Sequence, residues 1–591
     1  MRIGLEQFAR SIAVLGVLGC GSAVVVQPGL AADKASPGKP ALSDIGSSGS
    51  FSTYLLSQNA PASETVDTDL DLTPPLPVPE TVLPEPASEP VPEPAPEPLS
   101  PAQTPSTDEV LVNDIQVVGA TAFKERDFDP ILASYEGRSL GLRELRQAAD
   151  AITQLYLESG YITSRAILSE QTIVDGVVQI RVVEGSLEEI QIDGRPRLAS
   201  YVRDRINLAN RTPLNQVALE SQLQLLRADP LIEQIEASLR AGTGEGQSLL
   251  TVRVLEAPAF SGRAVLDTNS PPSVGVARMG LETTVKNPLG IGDSLSVSAY
   301  RATTGGSNTY AFTYDLPLNA RNGTLQARYL PSSFELIEPE LAALDVEGSS
   351  DSYVLTYRVP LIRQPNEELA LSLCCRQRMG ETLVSEVVSD STRTSVVQFG
   401  QDYLKRDRSG AWGVRSQFNL GTGLFDATDR PDDQADGQFF SWSGQVQRAQ
   451  VLSQDNLLLM QASLQLSADS LLGADQFIVG GPSSVRGYSQ NARFGDNGFR
   501  ASVEDRVTLQ RNENGSPALQ VVPFVDMAAV WNKEENTSDQ TFLLGTGAGI
   551  IVNYVEDVEA RFDVGVPLVE LNEAGDSNQD VFMYFSLNYR F

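Results

Sequence analysis

The chain ends with the nine residues Met583-Tyr584-Phe585-Ser586-Leu587-Asn588-Tyr589-Arg590-Phe591. Counted back from the end, every second side chain is apolar: Phe591, Tyr589, Leu587, Phe585 and Met583. The residues between them include three polar ones: Arg590, Asn588 and Ser586. Because successive side chains of a β-strand point to opposite faces, this period of two predicts a strand with one apolar face and one polar face.

The same alternation recurs over residues 258–591. In residues 309–316, for example, one face is apolar throughout: Tyr310, Phe312, Tyr314 and Leu316. A soluble β-sandwich also alternates, but its domains seldom contain so long an unbroken series of strands. In a membrane barrel the apolar face meets lipid and the polar face lines a wet lumen. No stretch beyond the N-terminus reaches the roughly 18 apolar residues of a spanning helix. We therefore predict an antiparallel transmembrane β-barrel over residues 258–591.

Several features indicate how this barrel is oriented. Three prolines that follow apolar strand ends, Pro317, Pro360 and Pro567, are expected to mark short turns at one rim. Polar stretches such as residues 426–437 suit longer loops at the other rim. The aromatic pair Tyr589 and Phe591 at the chain end resembles the C-terminal sorting signal of bacterial outer-membrane barrels.

The N-terminus predicts a secretory leader. Positive charge at Arg2 and Arg10 is followed by an apolar run over residues 11–26 that glycines interrupt. We assign residues 1–32 to a signal peptide that is cleaved near Ala31 or Ala32. A lipoprotein signal ending at Cys20 is the weaker alternative.

A linker follows at residues 33–108. It is rich in serine, proline and acidic residues, and residues 92–98 read Pro-Glu-Pro-Ala-Pro-Glu-Pro. Such a composition has little to bury and predicts a disordered, extended tether. A role in reaching through the periplasm is the alternative to a passive spacer.

An internal duplication lies between the linker and the barrel. The first unit opens with a period-two strand at residues 115–119. Apolar residues at helical spacing over 142–156 predict a helix that Gly160 ends. Two strands are then expected, at 164–168 and 177–183. We predict an α+β module with the order β-α-α-β-β.

The second unit repeats this plan. Its first strand, residues 190–194, again ends in glycine. Helical patterns follow near 199–208 and 214–226, and strands near 232–239 and 249–255. We assign the two modules to residues 109–186 and 187–257.

Composition excludes several functions. The chain has no histidine, so it lacks the usual general base and the commonest transition-metal ligand. Its three cysteines are Cys20, in the leader, and the neighbours Cys374 and Cys375, which would point to opposite faces of a strand. The formal charge of -32 opposes binding of nucleic acid. We expect no enzyme, no metal site, no cofactor and no nucleic-acid partner.

One segment carries a family resemblance. Residues 477–488 read Phe-Ile-Val-Gly-Gly-Pro-Ser-Ser-Val-Arg-Gly-Tyr and end in Val485, Arg486, Gly487 and Tyr488. This resembles the Val-Arg-Gly-Tyr motif in the sixth outer loop of outer-membrane assembly factors and two-partner secretion transporters. Residues 160–165 and 495–500 also match, and the modules are similar to polypeptide-transport-associated (POTRA) domains. The haemolysin secretion and activation class (ShlB/FhaC/HecB-like) fits best, because its members carry two such modules before a barrel of about 16 strands.

The resemblance implies a role for Arg486. The loop would fold back into the lumen, where a guanidinium needs an anionic partner to offset its lost hydration. The family supplies that partner within a Phe-x-Asp-x-Gly pattern, which this chain matches at Phe524 and Asp526 but not at Ala528. The alternative is that Arg486 is a solvated loop residue.

The modules suggest a second site. An exposed edge strand offers unpaired backbone groups to which an unfolded client can add. The candidate strand lies in the second module, at residues 232–239, and its candidate client-binding residues are Ile232, Ile235, Ala237 and Leu239. The groove beside the helix of that module is the other candidate site. The alternative is that the modules only stabilise the barrel mouth.

Together these observations predict an outer-membrane transporter whose linker and modules lie in the periplasm. Its modules would recognise an unfolded client, which then passes through the barrel to the cell surface. The resemblance implies a secreted exoprotein partner, such as an adhesin or haemolysin. Outer-membrane lipid and, during biogenesis, the barrel-assembly machinery are the other expected partners.

The main alternative function is a barrel-assembly factor, although such factors usually have more than two modules. A porin is a further alternative, but it would need no modules.

Overall fold

The computed structural model describes residues 109–194, 196–339, 342–431, 434–533, 541–571 and 581–591. The predicted leader, residues 1–32, and the predicted linker, residues 33–108, lie outside the described residues and stay expectations. Among the described residues, no helix is long and apolar enough to cross a membrane.

The first module contains two helices and two small sheets. Its elements, in chain order, are β1 (Val110–Val112), β2 (Asp114–Val118), α1 (Glu125–Leu132), β3 (Arg138–Leu140), α2 (Leu142–Glu158), β4 (Arg165–Ile167) and β5 (Val177–Val183). The helix predicted over residues 142–156 is α2, and it buries its apolar face, including Ile152 and Tyr156. The sheet order is β2-β5-β4, while β1 and β3 form a separate pair that the sequence pattern did not predict.

The second module repeats the plan without the extra pair. It consists of β6 (Ser186–Gly194), α3 (Pro196–Ile206), α4 (Gln216–Arg227), β7 (Ile232–Ala241) and β8 (Gln247–Glu256). The Asn215 side chain caps α4 by accepting a hydrogen bond from the Ala218 amide at 3.1 Å. The sheet order is β6-β8-β7, so β7 is an edge strand, 10 residues long.

The rest of the chain is built from strands. In chain order these are β9 (Phe260–Asp267), β10 (Arg278–Lys286), β11 (Ser294–Ala302), β12 (Ser307–Pro317), β13 (Thr324–Glu335), β14 (Val346–Gln364), β15 (Glu367–Val384), β16 (Val387–Asp407), β17 (Gly410–Thr422), β18 (Phe440–Val451), β19 (Asn456–Ser467), β20 (Phe477–Val479), β21 (Arg493–Gly495), β22 (Asn497–Arg511), β23 (Pro517–Trp531), β24 (Phe542–Val552), β25 (Val558–Pro567) and β26 (Phe582–Arg590). Short 3-10 turns occur at Pro272–Val274, Ala342–Leu344 and Gly473–Asp475.

All of these strands except β20 and β21 close into one antiparallel barrel of sixteen strands. The last strand, β26, pairs with the first, β9, and so closes the cylinder. Closure satisfies the backbone groups that an open sheet would expose to lipid. The predicted fold class, α+β modules followed by a transmembrane β-barrel, is confirmed.

The alternation has the expected orientation. Phe312, Phe399 and Phe562 point outward and are 43 %, 43 % and 42 % exposed on the isolated chain. Cys375 is exposed and its neighbour Cys374 is buried, as the period of two requires. The outward side chains therefore form the lipid-facing surface, and their neighbours line the lumen.

The expectation that Pro317, Pro360 and Pro567 mark short turns at one rim was wrong for two of the three. Strand β9 follows the modules directly, so we call the rim at its start the near rim and the opposite one the far rim. Strand β12 ends at the near rim with Pro317, whereas β25 runs in the opposite direction and brings Pro567 to the far rim. Pro360 lies within β14, where the register shifts between Pro360 and Ile362. A bulge tolerates proline because the ladder is already interrupted there.

Candidate functional site

The long loop between β19 and β22, residues 468–496, folds back into the lumen from the far rim. Its two short strands, β20 and β21, pair as a hairpin. Residues of the loop share an apolar cluster with β23 and β24: Val479, Val485, Tyr488, Ala492, Ala528, Val530 and Leu543. This packing fixes the loop tip against the barrel wall.

Arg486 lies at this tip and is 4 % exposed. Its Nε and Nη2 donate to the two carboxylate oxygens of Asp526 at 2.7 and 2.9 Å, and its backbone N–H donates to Asp526 at 3.1 Å. Its guanidinium also lies 3.4 Å from the centre of the Phe524 ring. The structure thus brings together the three residues that the resemblance implied, in a bidentate, stacked geometry that only arginine can adopt.

Further charges complete the network. Glu504 accepts from Arg486 Nη1 at 2.7 Å and from Arg561 at 2.8 Å, and it also pairs with Arg506 at 2.9 Å. Asp563 pairs with Arg561 at 2.6 Å. Three guanidiniums therefore face three carboxylates, counting Asp526, and this balance offsets the cost of removing these charges from water.

Glycines make room for the tip. Gly487 has a φ of +103°, which favours a residue without a Cβ. A Cβ at Gly545 would lie 1.9 Å from the Arg486 carbonyl oxygen, and one at Gly565 would lie 2.5 Å from the Gly487 nitrogen. The wall opposite the motif therefore lacks side chains, so that backbone can pack against backbone.

Two tyrosines hold the same turn. The Tyr584 hydroxyl accepts from the amides of Gly487 and Tyr488 at 2.9 and 3.1 Å and donates to the Tyr488 carbonyl at 2.6 Å. The Tyr488 hydroxyl donates to the Val569 carbonyl at 2.7 Å and accepts from the Leu544 amide at 3.1 Å. Every residue of the Val-Arg-Gly-Tyr motif thus has a defined contact in the lumen.

The departure from the family pattern at Ala528 is accommodated. Its methyl group is fully buried in the apolar cluster at the loop tip. The methyl packs against apolar residues of the loop, and the ion pair between Arg486 and Asp526 is intact.

The client-binding candidates on β7 do not all face outward. Ile232, Ile235 and Ala237 are each 6 % exposed and belong to the core of the second module, and Leu239 packs against that core. Their side chains therefore hold the strand in place. What β7 offers to a partner is its backbone edge.

The edges of the two modules differ. In the first module, the Thr153 hydroxyl accepts from the Ala166 amide on β4 at 2.9 Å, and Glu136 accepts from the Ile115 amide on β2 at 3.2 Å. Side chains of the module thus bond the backbone of both edge strands of that sheet. In the described part of the chain, no side chain bonds the backbone of residues 233–241 on β7. The second module therefore presents the open edge.

A buried arginine joins the second module to the near rim. Arg205 stacks 3.4 Å from the centre of the Tyr201 ring and donates to the Asn322 side chain at 3.2 Å. The Tyr201 hydroxyl in turn donates to Asp229 at 2.6 Å. Burial, and secondarily the charge of Asp229, raises the pKa of Tyr201 above its ordinary value. Beside it, Arg197 donates to the carbonyls of Asn287 and Pro288 at 2.6 and 3.0 Å.

The C-terminal aromatics lie on the lipid face, 39 % and 49 % exposed for Tyr589 and Phe591. The Phe591 backbone exchanges two hydrogen bonds with Gly262 of β9, at 2.8 and 3.0 Å. The chain end therefore lies at the seam that closes the barrel. Its role as a sorting signal stays a prediction.

Sequence reasoning missed Glu504, Arg561, Asp563 and Tyr584. One signal was present: Glu559, Arg561 and Asp563 are charged residues that alternate with apolar ones in β25, and such residues must face the lumen. Which of these charges meets the loop depends on strand register, which the sequence pattern does not contain.

Comparison with known proteins gives consistent matches. The model of the family "Haemolysin secretion/activation protein ShlB/FhaC/HecB" matches residues 246–552 of the 591, and the ShlB-type POTRA domain matches residues 110–185. The outer membrane transporter CdiB of Escherichia coli is 28 % identical over 479 residues, which cover 78 % of this chain and 79 % of CdiB. The hemolysin transporter protein ShlB of Serratia marcescens is 21 % identical and covers 74 % of this chain and 79 % of its own.

Solved structures agree on the fold. CdiB from Escherichia coli superposes with a TM-score of 0.67 at 23 % identity and covers 83 % of this chain and 93 % of its own. BamA from Haemophilus ducreyi lacking POTRA domains 1–3 superposes with a TM-score of 0.51 at 15 % identity, covering 81 % and 100 %. Both likenesses show a shared architecture of modules and barrel.

Proposed function

Since this chain belongs to the haemolysin secretion/activation protein family ShlB/FhaC/HecB, and is therefore an outer-membrane transporter of two-partner secretion, we propose that its second POTRA module recognises the client by β-augmentation. The unfolded exoprotein adds as a strand to β7 and then enters the barrel. The observation that carries this proposal is the open, 10-residue edge of β7 next to the near rim.

Backbone pairing suits a client that is still unfolded. An extended chain offers one donor and one acceptor per residue, whatever its sequence, so main-chain bonds to β7 need no particular side chains. Specificity would come from side chains that flank the edge, such as the exposed Glu236 and Arg240. The client class that this family serves, a large secreted adhesin or haemolysin, is the proposed partner.

Crosslinking from β7 tests the recognition step. A strand added to β7 would lie about 4.8 Å from it and about twice that from β8. A disulfide needs Cα atoms within about 7 Å, so Glu236→Cys should crosslink to a cysteine in the added strand, whereas Arg253→Cys should not. These two positions face each other across β7 and β8, which makes Arg253 a matched control.

The probe is a synthetic unfolded peptide rich in Gly, Ser and Asn that carries one cysteine, added to the full chain in proteoliposomes. In both variants the native Cys20, Cys374 and Cys375 are replaced. Equal crosslinking at the two positions would contradict pairing along β7. In cells, loss of one secreted protein on deletion of this chain, with outer-membrane barrels still inserted, would separate export from an assembly function.

A further inference from the structure

The lumen has two unlike walls. The wall of β22, β23 and β25 carries the paired charges that hold Arg486. The wall of β16 to β19 is polar. Apart from Arg415, which pairs with Asp402, the side chains that line the lumen cavity there are mainly amides and hydroxyls: Gln398, Gln417, Asn419, Ser441, Ser443, Gln445, Ser463 and Gln465. We call this second surface the amide wall.

Strand register arranges the amide wall in rows. Gln398, Asn419 and Ser441 face one another across β16, β17 and β18 and are joined by hydrogen bonds of 3.1 and 3.2 Å. Gln417 and Ser443 form the next row, which Gln465 extends on β19. The wall thus presents regularly spaced donors and acceptors across four strands.

The loop covers this wall and leaves a cavity of about 210 Å³ between them. The covering residues include the polar Ser483, Ser484 and Gln490 and the apolar Phe477 and Ile478. Three arginines border the cavity. Arg415 pairs with Asp402 and Arg376 with Asp475, while Arg500 donates to the Ser463 hydroxyl at 3.4 Å and to the Ser483 carbonyl at 3.5 Å. The space between wall and loop is therefore polar, and most of the side chains that line it are neutral.

The loop contacts the barrel wall at two places, its tip at Arg486 and its stalk at Gly473–Asp475. The tip is fixed by the Arg486 network and an apolar cluster. The stalk, at Gly473–Asp475, is held to β15 by Asp475 with Arg376 and by the Ala474 carbonyl, which accepts from Arg378 at 2.8 Å. In the described part of the chain, Asp475 Oδ2 has no hydrogen-bond partner. Gln465 on β19 also donates to the Asp475 carbonyl at 3.1 Å. The stalk thus has one ion pair and neutral hydrogen bonds, whereas the tip has two carboxylates on one guanidinium and an apolar cluster.

We propose that the exported polypeptide runs through the lumen along the amide wall, and that release of Asp475 from Arg376 opens this path while the Arg486 tip stays docked. The proposal rests on the proposed function and specifies the route of its client. The occupant is an extended, unfolded chain.

The chemistry of the wall suits such an occupant. Asn and Gln side chains both donate and accept, so they can bond any peptide group that passes, independently of sequence. Neutral partners bind weakly enough for the chain to move on, as transport requires. An exposed row of charges would instead hold segments of opposite charge and repel others.

Site-directed crosslinking tests the route. Single cysteines are placed on the amide wall as Gln417→Cys and Ser443→Cys, in the full chain without its native cysteines. The matched control is Ser296→Cys on β11, which also faces the lumen but belongs to neither wall. The probe is the same unfolded, cysteine-bearing peptide, added from the module side of proteoliposomes under mild oxidation.

We expect disulfide products at Gln417→Cys and Ser443→Cys and their absence at Ser296→Cys. Asp475→Asn should increase the yield at both wall positions, whereas Asp455→Asn, which removes an exposed pair with Arg511 at the near rim, should not. Products at Ser296→Cys of equal yield would overturn the route but leave export through the lumen in place. Absence of product at all lumen positions, with crosslinking at Glu236→Cys retained, would overturn passage through the lumen itself.

Discussion

Arg486 and Arg205 are both buried, but their guanidinium groups have different partners. Arg486 in the lumen is 4 % exposed and Arg205 at the junction of module and barrel is 7 % exposed. Each stacks 3.4 Å from an aromatic ring centre, on Phe524 and Tyr201 respectively. Arg486, however, bonds two carboxylates directly, whereas in the described part of the chain no carboxylate lies within 4.0 Å of the Arg205 guanidinium.

The difference lies in the charge that surrounds each guanidinium. Burial without a direct carboxylate partner lowers the pKa of the Arg205 guanidinium, which is the sign of a charge that its site stabilises poorly. Removing one partner of a buried ion pair is costly because it leaves the other charge uncompensated, whereas the neutral partners of Arg205 leave no charge behind. We therefore expect a change at Arg486 to cost more than the same change at Arg205.

The largest effect is expected from Arg486→Ala. Removing one partner of a buried ion pair leaves Asp526 without its cation, at a cost of about 3–5 kcal/mol, whereas Glu504 keeps Arg561 and Arg506. The loop tip should detach, and secretion of the exoprotein should fall. Insertion should persist, because the sixteen-strand ladder does not involve this side chain.

Export is measured as the exoprotein in the medium, and insertion as heat-modifiable mobility on gels. Arg486→Lys serves as a graded control, because it keeps the charge and loses the bidentate geometry. Unchanged secretion by the alanine variant would remove Arg486 from the functional site.

The next effect compares the two carboxylates of the same network. Asp526 takes three hydrogen bonds from Arg486, while Glu504 takes one and is shared with Arg561 and Arg506. Asp526→Asn should therefore loosen the loop more than Glu504→Gln, by about 1.5–3 kcal/mol for a charged hydrogen bond. Protease sensitivity of the loop at the far rim measures this, and a reversed order of the two variants would contradict it.

The periodicity of the sequence predicted the barrel, its two faces and the helices α2 and α4, because these depend on local side-chain patterns. It did not predict the bulge at Pro360 or the far-rim position of Pro567, since strand direction follows from counting every strand correctly. In the site, the pairing of Arg486 with Asp526 was implied by family resemblance alone. Glu504 and Asp563 join it through register between strands distant in sequence, and the joint at Arg205 arises only when module and barrel meet.

A smaller effect is expected at the module joint itself. Gly292 has a φ of +86°, and a Cβ there would lie 2.2 Å from the Tyr201 ring. Gly292→Val should therefore push the second module off the near rim, at about 1–3 kcal/mol for overpacking. Gly290→Val is the matched control, because its φ is +85° but its Cβ would meet only Arg197, at 3.8 Å.

The measurement is the distance between spin labels at Val217→Cys on α4 and Leu318→Cys in a near-rim turn, in the chain without its native cysteines. The distribution should broaden for Gly292→Val and stay narrow for Gly290→Val. Equal broadening would assign the effect to backbone strain in the turn and not to the contact with Tyr201.

The smallest effect is expected from Arg205→Met, and it is the sharpest test of the comparison. Methionine keeps the apolar stem and removes a charge that has only neutral partners, Asn322 and the Tyr201 carbonyl. Replacing such a buried charge by a hydrophobe of similar volume is often neutral, so stability should change by less than about 1 kcal/mol. Arg486→Met, which makes the same chemical change, should cost several times more because carboxylates are left behind. Hydrogen exchange of α3 and of the loop, measured in the full chain, reports on the two sites. An equal loss of protection in the two variants would mean that Arg205 stabilises the module joint as much as Arg486 stabilises the loop tip.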